Sequence, residues 1–368
     1  MGPCDIIGIM REKANSKNKG TIVAIVIVVI MIFAVSLYLY GTNRSISRLT
    51  EEGTETGRDC RYHFAMVVDN YDNPYWNLVN QGAQEAALEN EAVIEVTSEN
   101  LSETYQLEDR LRMAVAASVD GILLAPNGSA AINDRINQAT GERDIPVLCM
   151  MSDEAGSGRS GYVGINNYEQ GQAYGMLLQR LASESEEERL EVSMLRTTSA
   201  GREDGEAEAD FSGDVVYTGL IEYLNNHELG DRISVSRSSV NQASVFNCKR
   251  DIQILLQRED APNVIICDNY MLTLSACQVL VDRNLVGTVQ VLGSYISDEI
   301  LDYVQKGTLY GTVAVDPYEL GRICVSELVE LCEEGRTNDY YPLEMMIVDG
   351  DNVRTYISRY LEVQNEAE

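Results

Sequence analysis

Short apolar runs alternate with segments of helical spacing through most of this chain. Residues 63–69 form the first strand-like run, and residues 76–90 carry apolar side chains at helical spacing through Leu78, Val79 and Ala83. Later predicted strands span residues 92–97, 121–125, 146–150, 162–165, 191–195, 233–236, 264–267 and 289–293, and later predicted helices span residues 105–117, 129–140, 215–225, 245–257 and 271–281. Because the strands are continuously apolar, the alternation predicts an α/β fold with parallel sheets covered by helices on both faces.

The chain is longer than one ordinary domain. Its 368 residues are 45% hydrophobic and 23% charged, which is the composition of a globular protein with a sizeable core. The second half of the chain repeats the strand and helix pattern of the first half. We therefore predict two doubly wound parallel-sheet lobes.

Residues 21–40 form a run of twenty residues without a charge. At helical rise such a run spans about 30 Å, the thickness of the hydrocarbon core of a bilayer. It follows a basic flank that consists of Arg11, Lys13, Lys17 and Lys19. We predict a cytoplasmic basic segment (1–20), a transmembrane helix (21–41) and a linker (42–60) that leads to an extracytoplasmic body at the cell membrane. A cleaved signal peptide is the alternative, although the apolar core of a signal peptide is usually about 7 to 15 residues, shorter than the run over residues 21–40.

Charge and residue inventory exclude several function classes. The net charge of −30 opposes contact with phosphate backbones, so no nucleic acid partner is predicted. His63 and His227 are the two histidines, and neither has a partner at metal-ligand spacing. The sequence also contains no GxSxG nucleophile elbow, so a serine–histidine–aspartate site is not predicted. Cysteines in apolar surroundings are interpreted as small buried side chains: Cys149, Cys267, Cys277 and Cys324. We therefore predict no metal, no cofactor and no enzymatic activity.

Residues 156–161 match the GxGxxG pattern of dinucleotide-binding proteins. That pattern binds a pyrophosphate only when a strand precedes it and a helix opens directly after it. Here a further predicted strand, residues 162–165, follows instead. We therefore interpret the segment as a glycine-rich turn between two strands.

Polar and aromatic side chains crowd the end of the first predicted strand. The sequence DNYDNPYW begins at Asp69, and Pro74 within it is suited to the first turn of a helix, with Asn73 as the capping residue. Tyr75 and Trp76 then stand at the carboxyl end of a strand, where open α/β sheets bind their ligands. Aromatic faces beside amide and carboxylate groups suit a pyranose or a similar polyol. Alternatively, both aromatic rings pack against a neighbouring helix.

This segment resembles the type I periplasmic binding proteins, and most closely their ribose-binding and related sugar-binding branch. The similarity covers most of residues 62–363 and includes DGILLAP (120–126), VGINN (163–167) and DPYELG (316–321). The resemblance implies two lobes joined by three strands at a hinge. It would assign residues 61–165 plus 315–342 to lobe one and residues 166–314 plus 343–363 to lobe two.

The resemblance also implies a ligand pocket. Asp69, Asn73, Tyr75 and Trp76 occupy positions that match the pocket of the family, whereas the remaining pocket positions depart from it. The resemblance places Asp153 one residue from a family Asp-Arg pair, Asp268 at a family Asn and Tyr295 at a family Asp. This set of residues contains no arginine, so we expect either a neutral polyol or a cationic ligand, and we expect anionic ligands to be disfavoured.

The combined prediction is a membrane-anchored extracytoplasmic solute-binding protein that closes around a small polar, sugar-like ligand for ABC-type uptake through a membrane permease. A ligand-sensing ectodomain that signals to a membrane histidine kinase is the alternative, since the anchor suits either function. An enzyme on a doubly wound α/β fold is the third hypothesis. The lac-repressor-type transcription factors share the fold, but they carry a DNA-binding motif where this chain has its apolar run.

Overall fold

A computed structural model of the protein describes residues 60–69, 71, 73–97, 105–127, 129–198, 214–241 and 244–358. The predicted cytoplasmic segment, transmembrane helix and linker up to residue 59 lie outside the described residues. Within the described ranges, no helix combines the length and the apolar character that crossing a membrane requires.

The first lobe is built on a sheet of six parallel strands. The strands are β1 (Tyr62–Val67), β2 (Ala92–Val96), β3 (Gly121–Leu124), β4 (Val147–Met150), β5 (Gly161–Gly164) and β11 (Tyr340–Pro342), in the spatial order β11-β5-β4-β3-β1-β2. Its helices are α1 (Pro74–Glu89), α2 (Leu107–Ala117), α3 (Ala130–Glu142) and α9 (Pro317–Glu334). Every residue of β3, β4 and β5 is buried, because helices cover both faces of the sheet.

The second lobe is built on another sheet of six strands. The strands are β6 (Leu190–Thr198), β7 (Ile233–Asn241), β8 (Val264–Cys267), β9 (Gln290–Ser294), β10 (Gly311–Val315) and β12 (Met345–Asp349), in the spatial order β12-β10-β9-β8-β6-β7. Its helices are α4 (Asn167–Glu184), α5 (Val215–Asn226), α6 (Val245–Leu255), α7 (Tyr270–Arg283) and α8 (Asp298–Gln305). Only β12 among these strands runs antiparallel to its neighbour. The prediction of two lobes with parallel sheets is therefore confirmed.

Among the described residues, the chain crosses from one lobe to the other at three places. The first crossing leads from β5 to α4 through Ile165, the second leads from β10 to α9 through Asp316, and the third joins β11 to β12 through Leu343 and Glu344. Closure of two lobes around such crossings needs changes in only a few backbone dihedral angles. The topology therefore supplies a hinge.

Each lobe brings two helices into backbone contact through glycines. A Cβ on Gly321 of α9 would lie 1.9 Å from the carbonyl oxygen of Val79 in α1. A Cβ on Gly171 of α4 would lie 2.0 Å from the carbonyl oxygen of Val216 in α5. No side chain fits at such distances, so these positions require glycine. The close approach fixes how α1 and α9 pack in the first lobe and how α4 and α5 pack in the second.

Candidate functional site

A cavity of about 240 Å³ lies between the lobes. We call it the crevice. The first lobe and the crossing after it contribute Tyr75, Met151, Ser152, Asp153 and Ile165, and the second lobe contributes Asn167, Gln170, Arg196, Val216, Asp268, Ser294, Tyr295, Val313, Ala314 and Val315. Most of these residues lie at or just beyond the carboxyl ends of β4, β6, β8, β9 and β10, which is where ligands bind in open α/β sheets.

Four of the residues predicted from the sequence to bind ligand line the crevice: Tyr75, Asp153, Asp268 and Tyr295. The other three, Asp69, Asn73 and Trp76, are described but do not line this cavity. The crevice therefore brings together predicted residues from both lobes, although the first predicted segment contributes only one of them.

The helix cap explains where Asn73 and Trp76 lie. The Asn73 side-chain oxygen accepts a hydrogen bond from the Tyr75 backbone N–H at 3.0 Å, so the predicted cap of α1 is confirmed. From this start, Tyr75 is almost fully buried, at 1% exposure, and the half-buried Trp76 packs edge-on against it with ring centroids 5.1 Å apart. Trp76 also packs against the hydrophobic core to which Tyr75 belongs.

Arg110 holds the backbone at the end of β1. This α2 side chain is only 6% exposed and donates hydrogen bonds to the carbonyl oxygens of Val68 at 2.9 Å and Asp69 at 2.6 Å. Asp69 is an exposed residue, although partial burial of its carboxyl raises its pKa above the ordinary value. Arg110 therefore fixes the course of the chain where it leaves the sheet toward α1.

Arg196 corrects the expectation that the predicted crevice holds no arginine. Its Nη1 atom lies 3.0 Å from Oδ2 of Asp214, and its Nε atom lies 3.7 Å from Oδ2 of Asp268. The sequence pattern predicted that β6 ends at residue 195, whereas pairing with β7 continues to Thr198 and carries Arg196 to the crevice. We expected anionic ligands to be disfavoured because the predicted pocket had no arginine. Since Arg196 lines the crevice, that reason no longer applies.

The environment of Asp268 disfavours its ionised form. Burial, opposed by the positive charge of Arg196 and reinforced by the negative charge of Asp214, raises the pKa of Asp268 to about 7. The side chain still has 24% of its surface exposed toward the crevice, and Oδ1 accepts a hydrogen bond from Nδ2 of Asn269 at 3.0 Å. Near neutral pH, Asp268 can therefore accept a hydrogen bond as a carboxylate or donate one as an acid.

Asp153 is held by a second arginine. The guanidinium of Arg159 binds both carboxylate oxygens of Asp153, with Nη2 2.9 Å from Oδ2, and its Nη1 lies 2.9 Å from Oδ1 of Asp339. Arg159 is in the glycine-rich segment between β4 and β5, so the interpretation of that segment as a turn between strands is confirmed. The sequence interpretation missed the role of Arg159 because nothing in the spacing of the turn points to Asp153. This bidentate pair orients the Asp153 carboxylate at the crevice.

Two aromatic rings meet across the lobes. The rings of Tyr75 from the first lobe and Tyr295 from the second pack edge to face with centroids 4.9 Å apart. Burial raises the pKa of Tyr295 to about 12, further above physiological pH than the ordinary tyrosine value of about 10, so its hydroxyl is a hydrogen-bond donor there. Tyr295 is only partly buried and, with Tyr75 packed edge-on against it, gives the crevice an aromatic wall suited to the C–H face of a polyol.

Tyr295 and Met151 both have left-handed backbones, with φ of 72° and 65°. Side chains of this size rarely adopt such angles, and ligand sites are where such strain concentrates. Tyr295 N–H donates to the Val313 carbonyl at 3.1 Å, and the Tyr295 carbonyl accepts from Oγ1 of Thr312 at 2.7 Å. Flanking hydrogen bonds thus hold the strained turn that points Tyr295 into the crevice.

Polar side chains beneath the crevice brace the ends of β8 and β9. The hydroxyl of the fully buried Tyr174 lies 2.6 Å from Oγ of Ser294, which donates to the Cys267 carbonyl at 2.8 Å. Buried polar groups that are fully satisfied in this way make their surroundings rigid. Sequence reasoning missed Tyr174 because a tyrosine within an apolar helical stripe gives no signal of its hydroxyl partners.

The described residues contain no cluster of three or more side chains suited to a metal ion. The four cysteines interpreted as apolar are buried, and burial raises the pKa of the Cys149 and Cys277 thiols to about 12. These thiols are therefore protonated and poorly nucleophilic at neutral pH.

The two lobes and the polar crevice between them define a two-lobed binding protein. The chain matches the family described as periplasmic binding protein domain over residues 64–337, which is more than half of its length, and so it belongs to that family. A search of curated protein sequences found no match.

Solved structures share the fold at low sequence identity. GanP, a glucose-galactose binding protein from Geobacillus stearothermophilus, is 22% identical with a TM-score of 0.66, over 79% of this chain and 98% of that chain. An ABC transporter periplasmic solute binding protein from Actinobacillus succinogenes with bound D-allose is 19% identical with a TM-score of 0.63, over 80% of this chain and 100% of that chain. The XylFII–LytSN complex is 20% identical with a TM-score of 0.60, over 79% of this chain and 98% of that chain.

Proposed function

We propose that this protein is a membrane-anchored extracytoplasmic solute-binding protein that closes its two lobes around a small, neutral, sugar-like ligand and delivers it to an ABC-type permease. One observation carries the proposal. The crevice between the lobes combines an aromatic wall with carboxylates that arginines hold in place.

The charges of the crevice favour a neutral polyol. Arg196 lies between Asp214 and Asp268, and Arg159 lies between Asp153 and Asp339, so each positive charge already has two acidic partners. An anionic ligand would compete with those carboxylates for the arginines. Sugar hydroxyls can donate to the carboxylates of Asp153 and Asp268 and accept from the guanidinium group of Arg196 without adding a charge that must be desolvated.

The size of the crevice favours a small ligand. Its volume of about 240 Å³ is below the range of about 300 to 1,000 Å³ of sites for drug-sized molecules. A monosaccharide offers one ring face for Tyr295, which Tyr75 supports, and several hydroxyls for the polar residues. GanP is a glucose-galactose binding protein and the Actinobacillus succinogenes protein holds D-allose, which supports the same ligand class for this chain.

Calorimetric titration tests the ligand class. Purified full-length protein is titrated with D-glucose, D-galactose, D-arabinose and D-allose, and we expect at least one to bind with a Kd on the order of 1 to 100 µM. The bound sugar should be recovered chemically unchanged after long incubation, whereas an enzyme would convert it. Binding of an amino acid or an amine instead of any sugar would contradict the proposal.

The anchor is part of the same proposal and rests on the charge-free run over residues 21–40 and its basic flank. Protease added to intact cells should remove the region after Gly41 while the first twenty residues stay protected. A body that is digested only after lysis would refute the proposed topology.

Sensing is the second candidate function, and the similarity to the XylFII–LytSN complex favours it, because in that complex a protein of this fold is bound to a second protein. Cross-linking of the full-length chain in its native membrane, followed by mass spectrometry, distinguishes the two functions. A permease as the cross-linked partner would support uptake, and a histidine kinase would support sensing.

A further inference from the structure

A second, larger cavity of about 710 Å³ lies beside the hinge. Its lining comes from both lobes and from the crossings between them: Val315, Asp316, Glu319, Ile323, Leu343, Glu344, Met345, Met346, Ile347 and Tyr356. Val315 also lines the crevice, so the two cavities adjoin at the end of β10. We call the larger one the hinge cavity. None of the residues predicted to bind the sugar-like ligand lines it.

Most of the residues that line the hinge cavity are apolar, although the cavity also exposes much polar surface, and its margin is acidic. Apolar side chains come from α9, from the last crossing and from β12, and include Ile323, Leu343 and Met345. The carboxylates of the margin belong to Asp316, Glu319 and Glu344, and the last two are exposed residues. No lysine or arginine is among the described residues that line the cavity.

The acidic margin disfavours an anion even though α9 begins here. The positive end of a helix normally attracts anions. At α9, however, the side chain of Asp316 already accepts hydrogen bonds from the Tyr318 and Glu319 N–H groups, at 3.0 and 3.3 Å. With this cap in place and further carboxylates beside it, the electrostatic preference is for a cation.

We propose that the hinge cavity is a second binding site, for a small organic amine with an apolar body. The apolar body fills the cavity against Ile323, Leu343 and the methionines of β12, whose flexible side chains adapt to varied shapes. The ammonium group stays at the margin, near Glu319 and Glu344, where it remains partly hydrated. The volume of about 710 Å³ is within the usual range of about 300 to 1,000 Å³ for small-molecule sites.

Phenethylamine is a suitable probe because it carries one ammonium group on a small aromatic body. Calorimetric titration of the full-length protein in lipid nanodiscs should give a Kd on the order of 1 mM, as expected for a ligand of this size. 2-Phenylethanol, which has the same ring without the charge, should bind at least about fivefold more weakly, and 3-phenylpropionate should bind more weakly still. Equal binding of the amine and the alcohol would overturn the assignment.

Variants separate the hinge cavity from the acidic crevice. Combining Glu319→Gln with Glu344→Gln should weaken phenethylamine binding about three- to tenfold, on the scale of two exposed charge interactions. Ile323→Trp should weaken it by filling the cavity while leaving every carboxylate in place. Glu330→Gln, an exposed residue of α9 outside the cavity lining, is the matched control and should have no effect.

A variant of the crevice completes the test. Asp268→Asn should leave phenethylamine binding unchanged, because Asp268 lines only the crevice. If Asp268→Asn abolishes amine binding while the hinge-cavity variants retain it, the amine binds in the crevice and the proposal is overturned. No detectable binding to the wild-type protein would overturn it as well.

The position of the hinge cavity also couples the two sites, and this part of the inference rests on the proposed function. Ile323 belongs to the first lobe and Met345 to the second, so closure of the lobes changes the shape of the cavity. A saturating amount of whichever sugar of the titration panel binds should change the Kd of phenethylamine at least about fivefold. An unchanged Kd would overturn the coupling. Failure of every sugar to bind would count against the proposed function alone, because amine binding is measured without sugar.

Discussion

Replacement of Asp268 by asparagine should stabilise the apo protein while it weakens ligand binding. In the unfolded chain an aspartate titrates near pKa 3.9, by the usual reference value. In the folded protein burial raises the pKa of Asp268 to about 7. Because the folded-state value is the higher one, the free energy of unfolding falls as pH rises from about 4 to about 7, and it stays low above that range. The neutral asparagine side chain of the variant would carry no such penalty.

The size of the effect follows from the pKa difference. The pKa of Asp268 differs by about three units between the folded and unfolded states, at about 1.36 kcal/mol per unit. The free energy of unfolding of Asp268→Asn should therefore exceed that of wild type by at most about 4 kcal/mol above pH 7. Since the side chain is 24% exposed, solvent screening reduces the expected gain to about 2 to 3 kcal/mol. Between pH 5 and pH 8 the difference between Asp268→Asn and wild type should grow by about 2 kcal/mol.

Urea unfolding followed by circular dichroism measures this difference in the apo protein at both pH values. Asp134→Asn, on an exposed residue of α3, controls for the loss of one negative charge from an acidic chain. Loss of stability on Asp268→Asn at pH 8 would refute the reasoning, since it would mean that the ion pair with Arg196 outweighs the cost of burial.

Three further predictions concern packing and orientation. Gly321→Ala should lower the free energy of unfolding by about 1 to 3 kcal/mol or more in thermal melting, because its Cβ would lie 1.9 Å from the Val79 carbonyl oxygen. Gly141→Ala is the control and should be neutral or stabilising, because no atom lies within 4 Å of its Cβ. Trp76→Ala should lower stability by roughly 1 to 3 kcal/mol in the same assay, less than the 3 to 5 kcal/mol of a fully buried aromatic, because Trp76 is half-buried beside Tyr75. Arg159→Met should weaken sugar binding in calorimetry by roughly 1 to 3 kcal/mol, because Asp153 loses the bidentate partner that orients it; unchanged affinity would remove Asp153 from the site.

The fold could be predicted from the sequence because the physical cause of the pattern is local. Continuous apolar runs such as β3 and β8 must be covered on both faces, and only a parallel sheet between helices covers them throughout. The cap at Asn73 could be predicted for the same reason, since a capping side chain and the N–H groups that it satisfies are neighbours in sequence.

The site was predicted less completely because its contacts join distant parts of the chain. Arg196 meets Asp214 and Asp268 only when the lengths of β6 and β8 bring their carboxyl ends together. The phase of α1 decides that Tyr75 lines the crevice and that Trp76 lies beside it, and adjacent aromatic residues in a sequence do not reveal that phase. Sequence reasoning found four crevice residues and missed the arginines that hold the carboxylates.

Small-angle X-ray scattering of the fragment from Tyr62 onward tests the central claim most directly. In the part of the chain that the structure describes, the two lobes are joined by crossings at Ile165, Asp316 and residues 343–344, so a sugar that contacts both lobes should hold them together. With a saturating amount of a sugar whose binding calorimetry has confirmed, the radius of gyration should fall relative to the apo fragment. Identical scattering profiles with and without the bound sugar would contradict a clamp that closes on its ligand.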